Sequence, residues 1–106
     1  MAFVSVKQTY SKDVVARLSN GEKLNIIDVR EPDEWAWGHI KEAKLIPLGQ
    51  IAGRLNELDK DAEIIVVCQS GGRSSMASEF LAEKGFNVVN MVGGMMGWVG
   101  DVERGM

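Results

Sequence analysis

Ile64-Ile65-Val66-Val67-Cys68-Gln69-Ser70-Gly71-Gly72-Arg73-Ser74 is the stretch that decides the fold. Its first half is an unbroken apolar run of β-branched residues with no polar alternation, the pattern of a central strand covered on both faces. Its second half is a tight glycine-containing turn. A helix is expected to begin near Arg73, to bury Met76, Ala77, Phe80 and Leu81, and to stop at Gly85, where Phe86 folds back on Leu81. Strand, glycine loop and helix therefore follow one another in that order.

Working outward, further apolar runs at Phe3-Val6, Leu24-Val29, Leu45-Ile46 and Val88-Met91 read as strands, and amphipathic stretches separate them. Asn25-Ile26-Ile27-Asp28-Val29 also lacks alternation, so it too is expected to be central. Ser11 is expected to cap a helix whose Val14, Val15 and Leu18 form an apolar stripe, with Asn20-Gly21 as its stop. Pro32 suits the first turn of a short helix carrying Glu34, Trp35 and Trp37 and ending at Gly38. A helix from about Leu48 to Leu58 places Ile51, Leu55 and Leu58 on one side, and a last short one lies around Met95 to Val99. Alternation of this kind implies an α/β fold with a mainly parallel sheet between two helical layers.

The 106 residues fit one domain, 1–106, with no repeat, low-complexity tract or linker. Twelve Lys and Arg against 15 Asp and Glu give a formal charge of −3, which supplies no basic field for nucleic acid. The longest apolar run is too short to span a bilayer, and the opening MAFVSVKQTY lacks the pattern of a secretory leader, so a cytoplasmic location is expected. One cysteine, Cys68, and one histidine, His39, cannot form a disulfide or a thiolate and imidazole zinc site. No metal is expected.

Cys68 closes the most hydrophobic strand directly before the glycine loop. That order aims backbone N–H groups and a helix N-terminus into one small bowl. A cysteine at its base is favoured as thiolate, hence nucleophilic near neutral pH without a histidine partner. Gly71 and Gly72 are expected to keep the bowl clear of side chains, and Arg73 to add a positive charge at its lip. Asp28 and Arg30 follow another central strand on the same sheet edge. They are candidates for shaping the pocket, with Arg30 pairing with Glu31 or Glu34 and Asp28 satisfying loop backbone.

Over nearly its whole length the chain resembles a single-domain rhodanese. Cys68-Gln69-Ser70-Gly71-Gly72-Arg73-Ser74 resembles that family's active-site loop, and Ile27-Asp28-Val29-Arg30-Glu31 with Glu34-Trp35 and Gly38-His39-Ile40 its upstream signature. Gly85-Phe86 and Val92-Gly93-Gly94 with Trp98 resemble its closing segment. The resemblance implies a three-layer α/β/α fold around a parallel five-stranded sheet. It also implies transfer of a sulfane sulfur through a persulfide on Cys68, cradled by Gln69, Ser70, Gly71, Gly72 and Arg73, without metal or organic cofactor. The implied donor is a small sulfur-containing anion such as thiosulfate; the acceptor is cyanide in a test tube, or a thiol or protein dithiol in a cell. His39 belongs to a structural turn, and Trp35 to the core. Lys41-Glu42 stand where the family often has Pro-Gly.

Three rivals follow. A persulfide carrier in a protein relay and a non-catalytic interaction module both keep the fold. Phosphatases and arsenate reductases on a related scaffold place five residues between cysteine and arginine; here there are the four from Gln69 to Gly72, a ring suited to one sulfur atom. Met95 and Met96 should border the same crevice, as core residues or as an apolar rim for a protein acceptor.

Overall fold

The computed structural model describes residues 6–106. Five strands, β1 (Lys7–Tyr10), β2 (Asn25–Asp28), β3 (Ala43–Leu45), β4 (Glu63–Val67) and β5 (Asn87–Val92), form one sheet in the order β1-β5-β4-β2-β3, all parallel. Helices α1 (Ser11–Ser19), α2 (Pro32–Trp37) and α3 (Gly72–Glu83) connect them, with 3-10 segments at Leu48–Glu57 and Gly94–Gly97. The expected α/β/α class is what is found. No helix among the described residues is long and apolar enough to cross a membrane.

Strand periodicity builds the layers. Ile64, Val66 and Cys68 point into one core with Ile27, Val29, Ile51, Ala77 and Leu81. Ile65 and Val67 point to the opposite face, with Val14, Ile26, Val89 and Met91. Both central strands are thus covered on both sides, as their missing alternation implies. The C-terminal ends of β2, β4 and β5 deliver Asp28, Cys68 and Gly93 to one edge of the sheet.

Several local expectations are corrected. Of the strand expected at Phe3-Val6, residues 3–5 lie outside the described residues and Val6 precedes the strand; β1 is the polar Lys7–Tyr10, held on the sheet edge by its ladder to β5. Ser11 does not cap α1, because Tyr10 is the cap residue; its hydroxyl instead accepts the Val99 N–H at 2.9 Å, pinning the C-terminal segment. Leu48–Glu57 is 3-10 and broken at Arg54 rather than one α-helix, although Ile51 is buried and Leu55 and Leu58 pack against the core as expected. Met76 is 62% exposed, and Ser74 and Ser78 are buried on α3 alongside Ala77 and Leu81. The stop of α3 is as expected: Gly85 has φ +93°, and the Phe86 N–H donates to the Leu81 carbonyl at 3.0 Å.

Candidate active site

Cys68 is the first residue beyond β4, and its side chain, following the alternation of Ile64 and Val66, turns toward α3. Gly71 then takes φ +111°, a conformation only glycine adopts easily, and swings its N–H back onto Cys68 Sγ at 3.0 Å. Gly72 has ordinary helical geometry and open space where a Cβ would stand, so only Gly71 carries the glycine requirement expected of both. As a thiol, Cys68 donates to Ser74 Oγ at 3.3 Å, while the Ser74 hydroxyl donates to the Gly71 carbonyl at 3.1 Å. Rotation of that hydroxyl lets it donate to a thiolate instead.

Cys68 has 0% exposure. Burial alone raises a thiol's pKa, but hydrogen bonds from the Ser74 side chain and from the N–H groups of Ser74, Gly71 and Ser70 outweigh it, and the net direction is down. The sulfur is therefore covered but not packed among hydrocarbon alone. Reaction with a donor requires that cover to part. Replacing the one side-chain donor should expose this balance: Ser74→Ala is expected to slow iodoacetamide alkylation of Cys68 at pH 7 by roughly fivefold to tenfold. Its pH-rate profile should also move to higher pH, and coincident profiles would contradict the assignment.

Asp28 and Arg30 are brought to the loop as a locked unit. Arg30 Nε and Nη2 donate to the Asp28 carboxylate at 2.9 to 3.1 Å, with both side chains nearly inaccessible. The partner of Arg30 is thus Asp28, not Glu31 or Glu34. Its remaining donors reach the Gln69 side-chain oxygen at 3.1 Å and the Gly38 carbonyl at 2.8 Å, so the pair ties the cysteine loop to the end of α2. Asp28 also accepts the Arg30 N–H at 3.0 Å, which is the expected backbone role.

Glu34 belongs to Arg73. The two form a bidentate pair at 2.6 and 2.7 Å, which holds the Glu34 carboxyl down to about 2. The lip charge expected from Arg73 is consequently neutralised. His39 is structural, as expected: its ring stacks on Trp35 at 3.7 Å, and Nδ1 donates to the Trp35 carbonyl at 2.9 Å.

The turn after β5 was only partly legible in the sequence. Met95 N–H donates to the Cys68 carbonyl at 2.8 Å and Met96 N–H to the Gln69 carbonyl at 2.9 Å. Because a trans peptide is planar, holding the Gln69 carbonyl from outside turns the Ser70 N–H inward toward the sulfur. Gly94 permits this approach: a Cβ there would stand 2.3 Å from the Cys68 carbonyl oxygen. The pair of glycines before Met95 was the available signal. Of the two methionines, Met95 packs against the core and Met96 is 73% exposed.

A cysteine under convergent N–H groups, at the C-terminal edge of a parallel sheet, can hold a thiolate or a charged sulfur attached to it. Residues 11–101 match the Rhodanese-like domain family. The chain belongs to that family. The rhodanese-like domain protein of Staphylococcus aureus superposes with a TM-score of 0.89 at 35% identity, over 95% of this chain and 100% of that one. The "Putative sulfurtransferase YtwF" of Bacillus subtilis is 38% identical over 94% of this chain and 97% of its own length. The "Putative sulfur carrier protein YrkF" of the same organism is 43% identical over 82% of this chain, but this chain spans only 48% of it. This rhodanese-like domain accordingly acts in sulfur transfer or sulfur carriage.

Proposed function

We propose that this domain is a sulfurtransferase in which Cys68 is the nucleophile and carries the sulfur. The observation that supports this is the 3.0 Å hydrogen bond from Gly71 N–H to Cys68 Sγ, made at the end of the central strand by a left-handed glycine. The Cys68 thiolate attacks the outer sulfur of thiosulfate. A sulfur–sulfur bond forms to Cys68, the donor's own sulfur–sulfur bond breaks, and sulfite leaves with the electron pair. The terminal persulfide sulfur keeps the negative charge beneath the N–H groups of Ser70, Gly71 and Ser74. Cyanide or a thiol then takes that sulfur and returns the thiolate. Gln69 and Arg73 hold the loop through Arg30 and Glu34. The reading needs no metal or organic cofactor, and a reducing, cytoplasmic setting keeps the lone thiol available.

Passing sulfur to a protein thiol or dithiol is a second use of the same intermediate. It is favoured by the exposed Met96, whose N–H binds the loop at Gln69.

Two half-reactions sharing one loaded enzyme predict ping-pong kinetics. Initial rates of thiocyanate formation, with thiosulfate and cyanide varied together, should give parallel double-reciprocal lines. Intersecting lines would overturn the scheme.

A further inference from the structure

We propose that Glu34 sets the donor preference of this site: by neutralising Arg73 it disfavours the thiosulfate dianion relative to sulfane donors of lower charge, such as thiosulfonates and organic persulfides. The proposal rests on the Cys68 reading above and adds a substrate class to it.

A loop that receives a dianionic donor beside a thiolate is expected to present unpaired cations. Here both guanidinium groups next to the loop are occupied. Arg30 is forked onto Asp28, and Arg73 is forked onto Glu34 at 2.6 and 2.7 Å. Glu31 is close enough to Arg73 to add to its field. Asp28 and Glu34 thus pair off the two guanidiniums, Glu31 adds a third carboxylate to the field of Arg73, and Cys68 adds a further negative charge when it attacks as the thiolate. What remains for the donor is the partial positive charge of backbone N–H groups around one sulfur, which suits an outer sulfur more than a distant sulfonate. Glu34 is the pivot because the Arg73 pair is partly exposed, at 35% and 28%, whereas the Asp28 and Arg30 pair is sealed.

Glu34→Gln tests this with little collateral change. The Gln side-chain oxygen can still accept the Glu31 N–H that Glu34 Oε1 accepts at 3.0 Å, so the helix start is kept. The probes are thiosulfate, a dianion, and benzenethiosulfonate, a monoanion. From each, Cys68 takes the outer sulfur, while sulfite or benzenesulfinate leaves with the electrons of the broken bond. Freeing Arg73 adds one positive charge near the loop, so the gain for the dianion should be about the square of the gain for the monoanion. We expect kcat/KM to rise about fivefold for benzenethiosulfonate and roughly twenty-five-fold for thiosulfate. Equal changes for both donors, or a loss confined to thiosulfate, would overturn the proposal.

The wild-type protein gives an independent reading. Added salt should raise kcat/KM for thiosulfate more steeply than for benzenethiosulfonate, because screening relieves the larger repulsion. The opposite order would also overturn it. Added sulfur on Cys68 with an unmoved donor ratio removes the role of Glu34 alone, whereas no added sulfur from either donor removes the reading of Cys68 and this proposal with it.

Discussion

Cys68→Ser is expected to abolish sulfur transfer, lowering kcat/KM with thiosulfate and cyanide by about ten-thousand-fold or more, while the fold survives. Serine fills nearly the same volume, and its oxygen still accepts the Gly71 N–H that the sulfur receives at 3.0 Å. The unfolding free energy should therefore shift by only about 1 kcal/mol. What is lost is chemical: an alkoxide is inaccessible near neutral pH, and oxygen does not store a transferable sulfur as a thiolate does. Thiocyanate production by folded Cys68→Ser at more than a trace of the wild-type rate would show that sulfur moves without loading this residue.

The second large effect is expected at Gly94, a residue that touches no substrate in this account. Its Cα lies so near the cysteine loop that an added Cβ would meet the Cys68 carbonyl oxygen at 2.3 Å and the Gln69 carbonyl carbon and oxygen at 2.7 Å. These are backbone atoms and cannot rotate aside. Gly94→Ala should push the turn off the loop, weakening the Met95 and Met96 N–H bonds to the Cys68 and Gln69 carbonyls. Released, the Gln69–Ser70 peptide no longer holds its N–H toward the sulfur. We expect transfer to fall about a hundredfold and stability by about 1–3 kcal/mol. The alkylation profile of Cys68 should shift to higher pH, which a merely destabilised but intact loop would not produce. Gly93→Ala is the control. Gly93 also has positive φ, at +81°, yet a Cβ there would meet nothing within 4 Å, so the variant carries backbone strain of about 1 kcal/mol without entering the loop. Equal losses of activity in the two variants would contradict the positioning role.

The parts of this molecule that could be read from sequence are those decided locally. The unalternated run Ile64–Cys68 must be buried on both faces, and a glycine loop directly after it must bend back toward a helix start; both follow from neighbours in the chain. Phe86 folding back on Leu81 is equally local. What escaped reading depends on partners far apart in sequence. Arg73 and Glu34 are 39 residues apart, and nothing in either segment says that Arg73 takes Glu34 while Arg30 takes Asp28. The sequence offers Arg30 four nearby carboxylates, Asp28, Glu31, Asp33 and Glu34, and the structure gives it Asp28 while Arg73 takes Glu34. The sequence does not say which glycine bends the loop, because two adjacent glycines look alike there and only Gly71 takes φ +111°. Met76 has the spacing of a core residue but faces outward, since the small buried residues Ser74, Ala77 and Ser78 let α3 sit close to the sheet on a different stripe. Edge strand β1 carries polar residues because one side of it needs no cover, and apolar Phe3-Val6 drew the expectation away from it.

All of this converges on a buried sulfur atom that accepts the Gly71 N–H and whose pKa is drawn down by its loop, and the most direct test is to catch it loaded. Wild-type protein should be incubated with thiosulfate in the absence of any acceptor, separated from excess donor, and weighed intact and as peptides by mass spectrometry. One additional sulfur is expected on Cys68, and it should disappear on addition of cyanide with release of an equal amount of thiocyanate. Thiocyanate formed in the complete mixture, with the protein alone never gaining mass, would contradict it.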